Sequence, residues 1–441
     1  MRTRRTLLAA LGPLALTGCG ITDMFDDWFA TKKDPLPGKR ELVSFTAASD
    51  TPQTDKRPVV LPPAVINPSW ELPGGVATHA LGSLAGPAAL DRAWRADIGE
   101  GGGYRRRVTA QPIVAEGRIY TMDSDAVVRC FALADGARVW SADTKPEKNR
   151  STNVGGGLSY AAGVLYAATG LAELLALDPR TGAIKWRVTL PTPARSGPTI
   201  VDGKLFLPTV DSRVLARAAD GKPLWSYDGS VSPAGVLGAP APAAAEGFVI
   251  AGAGNGELVA LRADSGVPVW SDSFGSVATS LVSSDFSAVR GLPVVADGRV
   301  YATSLGGQTG AVDLRSGRRL WTRALASPNT PWLAGDTLFL LTADQVIMAL
   351  ARDDGATRWQ TELPRYKRPE KQRDPITWFG PSLIGGRLVA VSNHRKLVQV
   401  DPVSGKAGDL IDLPGEGQFG PTAAGGTLLL ITADGTLAAY R

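Results

Sequence analysis

Seven tryptophans recur along this chain at nearly constant spacing, and six of them close the same short phrase, a turn ending in glycine followed four residues later by Trp. The phrases run from Gly136 to Trp140, Gly182 to Trp186, Gly221 to Trp225, Gly266 to Trp270, Gly317 to Trp321 and Gly355 to Trp359. Trp94 stands 46 residues before Trp140, and the later intervals are 46, 39, 45, 51 and 38. Periods of this size belong to solenoids and propellers, because one such unit cannot bury its apolar face alone and must stack on its neighbours.

Each unit reads as four strands. In residues 197–225 an apolar run after Gly197-Pro198 is followed by an Asp202-Gly203 turn and a second run, Leu205-Phe206-Leu207. A polar turn precedes a third run, and Asp220-Gly221 delivers the strand that bears Trp225. Asp-Gly pairs supply the positive φ that tight hairpins require. The glycines therefore have a backbone role, and none of the Gly-rich stretches runs from a strand into a helical pattern as a phosphate cradle would.

Six complete repeats end at the six phrases above. A seventh starts at about Phe379 and has Asp409-Leu410 where the Trp would stand, and an eighth, Gly420 to Tyr440, supplies three strands. Trp94, in the run Arg92 to Ile98, resembles a fourth strand with no repeat before it, which assigns it to the eighth blade. The expectation is an all-β fold: an eight-bladed β-propeller over residues 89–441, built of four-stranded antiparallel blades and closed by an N-terminal strand. Such closure removes two open sheet edges, and a hydrophobic content of 44% is ample for the core.

The N-terminus predicts export. Residues 1–18 combine the basic start Met1-Arg2-Thr3-Arg4-Arg5 with an apolar run, Leu7 to Leu16, too short to span a bilayer. Leu16-Thr17-Gly18-Cys19 resembles a bacterial lipobox, in which Cys19 becomes the lipid-modified first mature residue. Arg4-Arg5 in its setting resembles a twin-arginine signal, and Gly20 agrees with sorting to an outer membrane. With Cys19 lipidated, Cys130 is the remaining thiol, so the fold relies on its core rather than on disulfides. Residues 19–88 are rich in Pro, Ala and Thr without a sustained period, and predict a lipidated, mostly flexible tether. Within it, residues 36–45 and Trp70 to Gly75 with His79 are either docking pieces or sticky points on a plain linker.

Repeats of the form Leu175-Ala176-Leu177-Asp178-Pro179-Arg180-Thr181-Gly182-Ala183-Ile184-Lys185-Trp186 resemble those of quinoprotein-type propellers. Lipobox, tether and eight such blades together resemble the BamB family of outer membrane protein assembly factors. Residues 35–40 and Gly99-Glu100-Gly101 with Arg105-Arg106-Arg107 resemble its alphaproteobacterial branch. The resemblance implies a non-enzymatic scaffold without cofactor or metal, lipid-anchored at the periplasmic face of the outer membrane. It implies binding to the periplasmic repeat domains of BamA as a monomer within the Bam complex, and help in folding and inserting β-barrel proteins. It also implies partner contacts in loops between early and middle blades, with a Leu and an Arg ahead of the third blade. Arg195 holds the matching place before Gly197-Pro198, and Leu190 is the nearest large apolar residue upstream, at a different spacing. The next loop, 230–238, lacks the acidic residues of the family and leaves Asp228 as the nearest carboxylate.

Two alternatives stand beside this reading, a different periplasmic interaction propeller and a pyrroloquinoline-quinone dehydrogenase. The second needs a calcium held by oxygen ligands and, in the alcohol dehydrogenases, adjacent cysteines, which the two cysteines of this chain are not. The histidines His79 and His394 lie in the tether and in a polar turn, and Asp123, Asp125 and Asp211 fall at turn positions suited to local hydrogen bonding. The basic runs 105–107 and 365–373, with a net charge of +5, fit either anionic contacts or solvated loops. Nucleic acid is set aside, since an exported lipoprotein would not meet it.

Overall fold

A computed structural model describes residues 54–103, 106–194, 196–230, 240–275 and 288–441. Cys19, residues 36–45 and Arg195 lie outside them. Eight four-stranded antiparallel sheets make up the ring. Blades 1 to 7 are the meanders of residues 113–143, 157–189, 199–228, 243–273, 294–323, 332–362 and 378–412. Blade 8 takes three strands from Thr422–Ala424, Thr427–Ile431 and Thr436–Tyr440, and its fourth from Arg92–Asp97. Trp94 pairs with Ala439 and Asp97 with Thr436, so the ring closes as the unpaired Trp94 predicts.

First strands of neighbouring blades contact one another, which puts them at the axis. They are short and buried, as in Ile113–Ala115, whereas outer strands such as Arg138–Asp143 alternate exposed and half-buried residues. That alternation is the period-2 pattern of a sheet edge with one face packed on the next blade.

The packing explains the repeat. Trp140 of blade 1 lies against Gly182 in the last turn of blade 2, and Trp186, Trp225, Trp270, Trp321 and Trp359 repeat this on Gly221, Gly266, Gly317, Gly355 and Gly405. A Cβ on Gly182 would come within 2.6 Å of the Trp140 ring, and its φ of +76° disfavours other residues as well. The indole N–H groups of Trp140, Trp225, Trp270, Trp321 and Trp359 donate to main-chain carbonyls of the next blade at 2.8–3.2 Å. Trp94 takes the same slot against Gly136, but the equivalent carbonyl, Leu133 O, accepts from Arg441 instead at 2.7 Å. The outer strand of blade 7 lacks the repeat Trp for a physical reason. Its neighbour, blade 8, joins its third and fourth strands from opposite ends of the chain, so there is no glycine turn for an indole to cover. Pairing of the blade 7 outer strand accordingly shrinks to Ile411–Asp412, two residues beyond Asp409.

Residues 54–88 depart from the flexible tether expected of them. They form a strap that runs around the ring, hydrogen-bonding to one blade after another. Asp55 N–H donates to Thr357 of blade 6, Asn67 accepts from Gly425 of blade 8, and Trp70 exchanges both main-chain bonds with Val114 of blade 1. Glu71 then accepts from Tyr160 of blade 2, Ala77 from Ala244 of blade 4 and Thr78 from Val295 of blade 5. Gly82 accepts from the Trp332 indole of blade 6, and Leu84 bonds with Leu383 and Gly385 of blade 7. The strap thus completes more than a circuit and laps itself where Val65 and Leu84 pair in parallel. Trp70, Leu72 and Leu84 are buried, which resolves the docking alternative for residues 70–75 and His79. The driving force is burial of these few large side chains together with main-chain pairing, neither of which imposes a period on the sequence.

A meander puts its first and third turns at one end and its second turns at the other, together with the links between blades. The strap bonds near the first turns, so one end of the ring is a strap face and the other a loop face.

Candidate partner-binding site

The sequence places a partner contact at Leu190, Arg195 and Asp228, of which Leu190 and Asp228 are described and belong to the loop face around blade 3. The outer strand of blade 2, Ile184–Thr189, ends where Leu190 turns inward. Leu190 is 3% exposed, packed in the core between blades 2 and 3, and its N–H donates to Ala172 O at 2.7 Å. Its side chain therefore shapes the loop from beneath and offers no surface as it stands. Ala194 is buried as well. The segment between them is stapled to the second turn of blade 3: Val210 N–H donates to Pro193 O at 3.0 Å, and the Thr192 hydroxyl donates to Asp211 at 2.8 Å.

Asp211 is the hub. It accepts from Thr209 at 2.5 Å and faces Arg213 Nε at 3.2 Å. Burial pushes its carboxyl up, yet the hydrogen bonds from Thr209 and Thr192 and the Arg213 charge outweigh it and hold the group below the usual carboxylate range. Arg213 also faces Asp228 at 3.1 Å, where the third and outer strands of blade 3 pair Arg213 with Asp228. A chain of polar contacts, Asp228 to Arg213 to Asp211 to Thr192, thus ties the outer edge of the blade to the inter-blade loop. Asp228 is 75% exposed and Arg213 40%, so both keep capacity for charge-assisted bonds to another surface. Arg213 and Thr192 carry no signal in the sequence, because only the register of two strands and a loop brings them to Asp211.

Nothing in this arrangement pairs a nucleophile with a base. Among the described residues there is no group of three or more His, Cys, Asp or Glu able to hold a metal ion. Asp123 and Asp125 serve local structure: Asp123 accepts from the N–H groups of Asp125 and Val127 and pairs with Arg129 at 2.6 Å. Asp125 accepts from Asn153 N–H. Cys130 is buried, and burial raises its thiol to about 11, far from a reactive thiolate at neutral pH.

The family described as outer membrane protein assembly factor BamB matches residues 124–361, more than half of the chain. The chain belongs to the BamB family. BamB of Salmonella typhimurium is 28% identical over 350 residues, covering 78% of this chain and 87% of that one. The crystal structure of BamB from Moraxella catarrhalis superposes with a TM-score of 0.69 at 20% identity, over 80% of this chain and 100% of that one. A quinohemoprotein alcohol dehydrogenase from Pseudomonas putida follows at 0.64 and 14% identity, over 85% and 80% of the two chains. Likeness at such identities establishes a shared propeller and leaves function to the site.

Proposed function

We propose that this chain is a non-enzymatic periplasmic scaffold of the outer-membrane β-barrel assembly machinery, binding the periplasmic repeat domains of BamA through the loop face around blade 3. Membership of the BamB family carries the reading. The stapled loop 190–194 with exposed Asp228 and Arg213 supports the placing of the contact, and Arg195, assigned from sequence, belongs to the same loop. Residues 1–18 are removed on export, and Cys19 carries the lipid that holds the protein to the periplasmic face of the outer membrane.

The decisive experiment is purification of the lipoprotein in mild detergent. A β-barrel protein with periplasmic repeat domains should copurify, and Arg195→Glu with Asp228→Lys should weaken its retention. A different envelope complex in its place would transfer the scaffold to another machinery. Cys19→Ala should move the protein to the soluble periplasmic fraction. Pyrroloquinoline quinone with calcium should give no thermal shift, and a saturable response would put redox chemistry first.

A further inference from the structure

The link from blade 6 to blade 7 is a second structure on the loop face. Read from sequence as a polar insertion, it folds as a β-hairpin: Tyr366–Arg368 and Arg373–Pro375 joined by a 3-10 turn, Pro369–Lys371. Its root is fixed. Trp378, 1% exposed, donates its indole N–H to Pro364 O at 2.9 Å, and Ile376 N–H donates to Arg365 O at 2.8 Å. Beyond the root, residues 367–375 are exposed throughout.

The hairpin carries Arg365, Lys367, Arg368, Lys371 and Arg373 against Glu370 and Asp374. Arg368 pairs with Asp374 at 3.3 Å, while Arg365, Lys367, Lys371 and Arg373 have no ion pair among the described residues. The strand register sets Arg368 directly opposite Arg373, and like charges placed opposite each other destabilise a two-stranded ribbon. A linker under no demand except length would avoid that pairing. An anchored arm that carries Arg373, Lys367 and Lys371 outside any ion pair among the described residues, next to Arg368, has cations to offer to the carboxylates of another surface.

We infer that this hairpin is a docking arm for an acidic protein surface, belonging to the same partner that meets blade 3; the inference rests on the function proposed above. Three observations favour protein over an anionic bilayer. The arm stands on the loop face with Asp228 and Arg213. Thr54, the first described residue, pairs with Thr357 next to the last turn of blade 6, on the strap face. The arm also interleaves Glu370 and Asp374 with its cations, a mixed pattern that fits a specific charge register and weakens attraction to a uniformly negative surface. As a rim of charge the arm acts chiefly on the rate of association and its salt dependence.

The test compares the full chain, a Lys367→Glu, Arg368→Glu, Arg373→Glu variant and the matching triple Gln variant. Association with purified BamA periplasmic repeat domains is measured at about 50 and about 300 mM salt. The Glu variant should associate about tenfold more slowly at low salt, the Gln variant by less, and all three should converge at high salt. Because the substituted side chains are exposed, melting temperatures should agree. Equal rates for the three proteins would overturn the docking arm while leaving the proposed function in place. Rates that agree while sedimentation with phosphatidylglycerol vesicles separates the three would reassign the arm to lipid. Failure of the unsubstituted chain to bind the domains would overturn the proposed function and the arm with it.

Discussion

The two faces of the ring are held by different means. On the strap face, residues 54–88 meet the blades mainly through backbone hydrogen bonds, with a few buried side chains, Trp70, Leu72, His79 and Leu84, pressed underneath. On the loop face, particular side chains are prominent: Thr192, Asp211, Arg213 and Asp228 at blade 3, and the buried Trp378 that roots the 366–375 hairpin. Main-chain pairing holds a segment while asking little of its residue types. Side-chain networks are worth less to stability but define a surface another molecule can read. The strap face therefore serves integrity and, under the proposed function, the loop face serves recognition, so substitutions on the two should fail in different ways.

The largest effect is expected where the strap leads into the ring. A chain beginning at residue 100 lacks Arg92–Asp97, leaves blade 8 with an open edge and should aggregate. One beginning at residue 89 keeps that strand and should stay monomeric, with a lower melting temperature because the strap is gone. Identical size-exclusion profiles for the two would refute closure by Trp94. Next comes Trp70→Ala, which should cost roughly 3–5 kcal/mol through lost burial and the cavity left and open residues 54–88 to protease. Trp70→Phe should be milder, since the indole N–H has no hydrogen-bond partner among the described residues. In both variants, binding at the loop face should survive.

A titration separates the faces further. His79 is buried, its Nδ1–H donating to Pro293 O at 2.7 Å, and burial lowers its pKa from 6.5 to about 4. Below pH 6.5 the unfolded chain takes up a proton that the folded chain refuses until about pH 4. Stability should thus be flat above pH 6.5 and fall between 6.5 and 4, by at most about 3 kcal/mol. His79→Gln should remove that part of the slope, measured by denaturant unfolding at several pH values; an unchanged slope would acquit the histidine. On the loop face, Thr192→Val should cost about 1 kcal/mol or less yet loosen the 190–194 loop enough to slow partner binding. Smallest for stability is Asp228→Ala. Its melting temperature should match the parent, because exposed ion pairs contribute little, while association with the partner slows.

Legibility in the sequence followed the same division. The blades were readable because each Trp needs a glycine turn beneath it on the next blade, so packing writes itself as a fixed spacing. Closure was readable for the same reason, through Trp94 standing without a repeat. The strap was not, because a segment held by main-chain bonds scattered around the ring leaves no repeating side-chain mark, and Trp70 and His79 alone could not distinguish docking from stickiness. At blade 3 the buried position of Leu190 was hidden by an ordinary polar-looking loop, and the Asp211 hub reads only as a turn aspartate. The hairpin at 366–375 likewise shows charge in sequence but neither its pairing nor the opposition of Arg368 and Arg373.

The lapped course of the strap gives the protein a defined response to tension. A pull on the segment ahead of Thr54 loads the blade 6 contact first, where Asp55 pairs with Arg358 at 3.0 Å. Only as each contact gives way does the load pass onward around the ring, and the Val65–Leu84 lap ties the first half of the strap to the last. Fully unreeled, residues 54–88 would span about 120 Å. On this geometry, force would reach the closing strand Arg92–Asp97 only after that length had run out, so the strap should yield in stages before the ring is loaded.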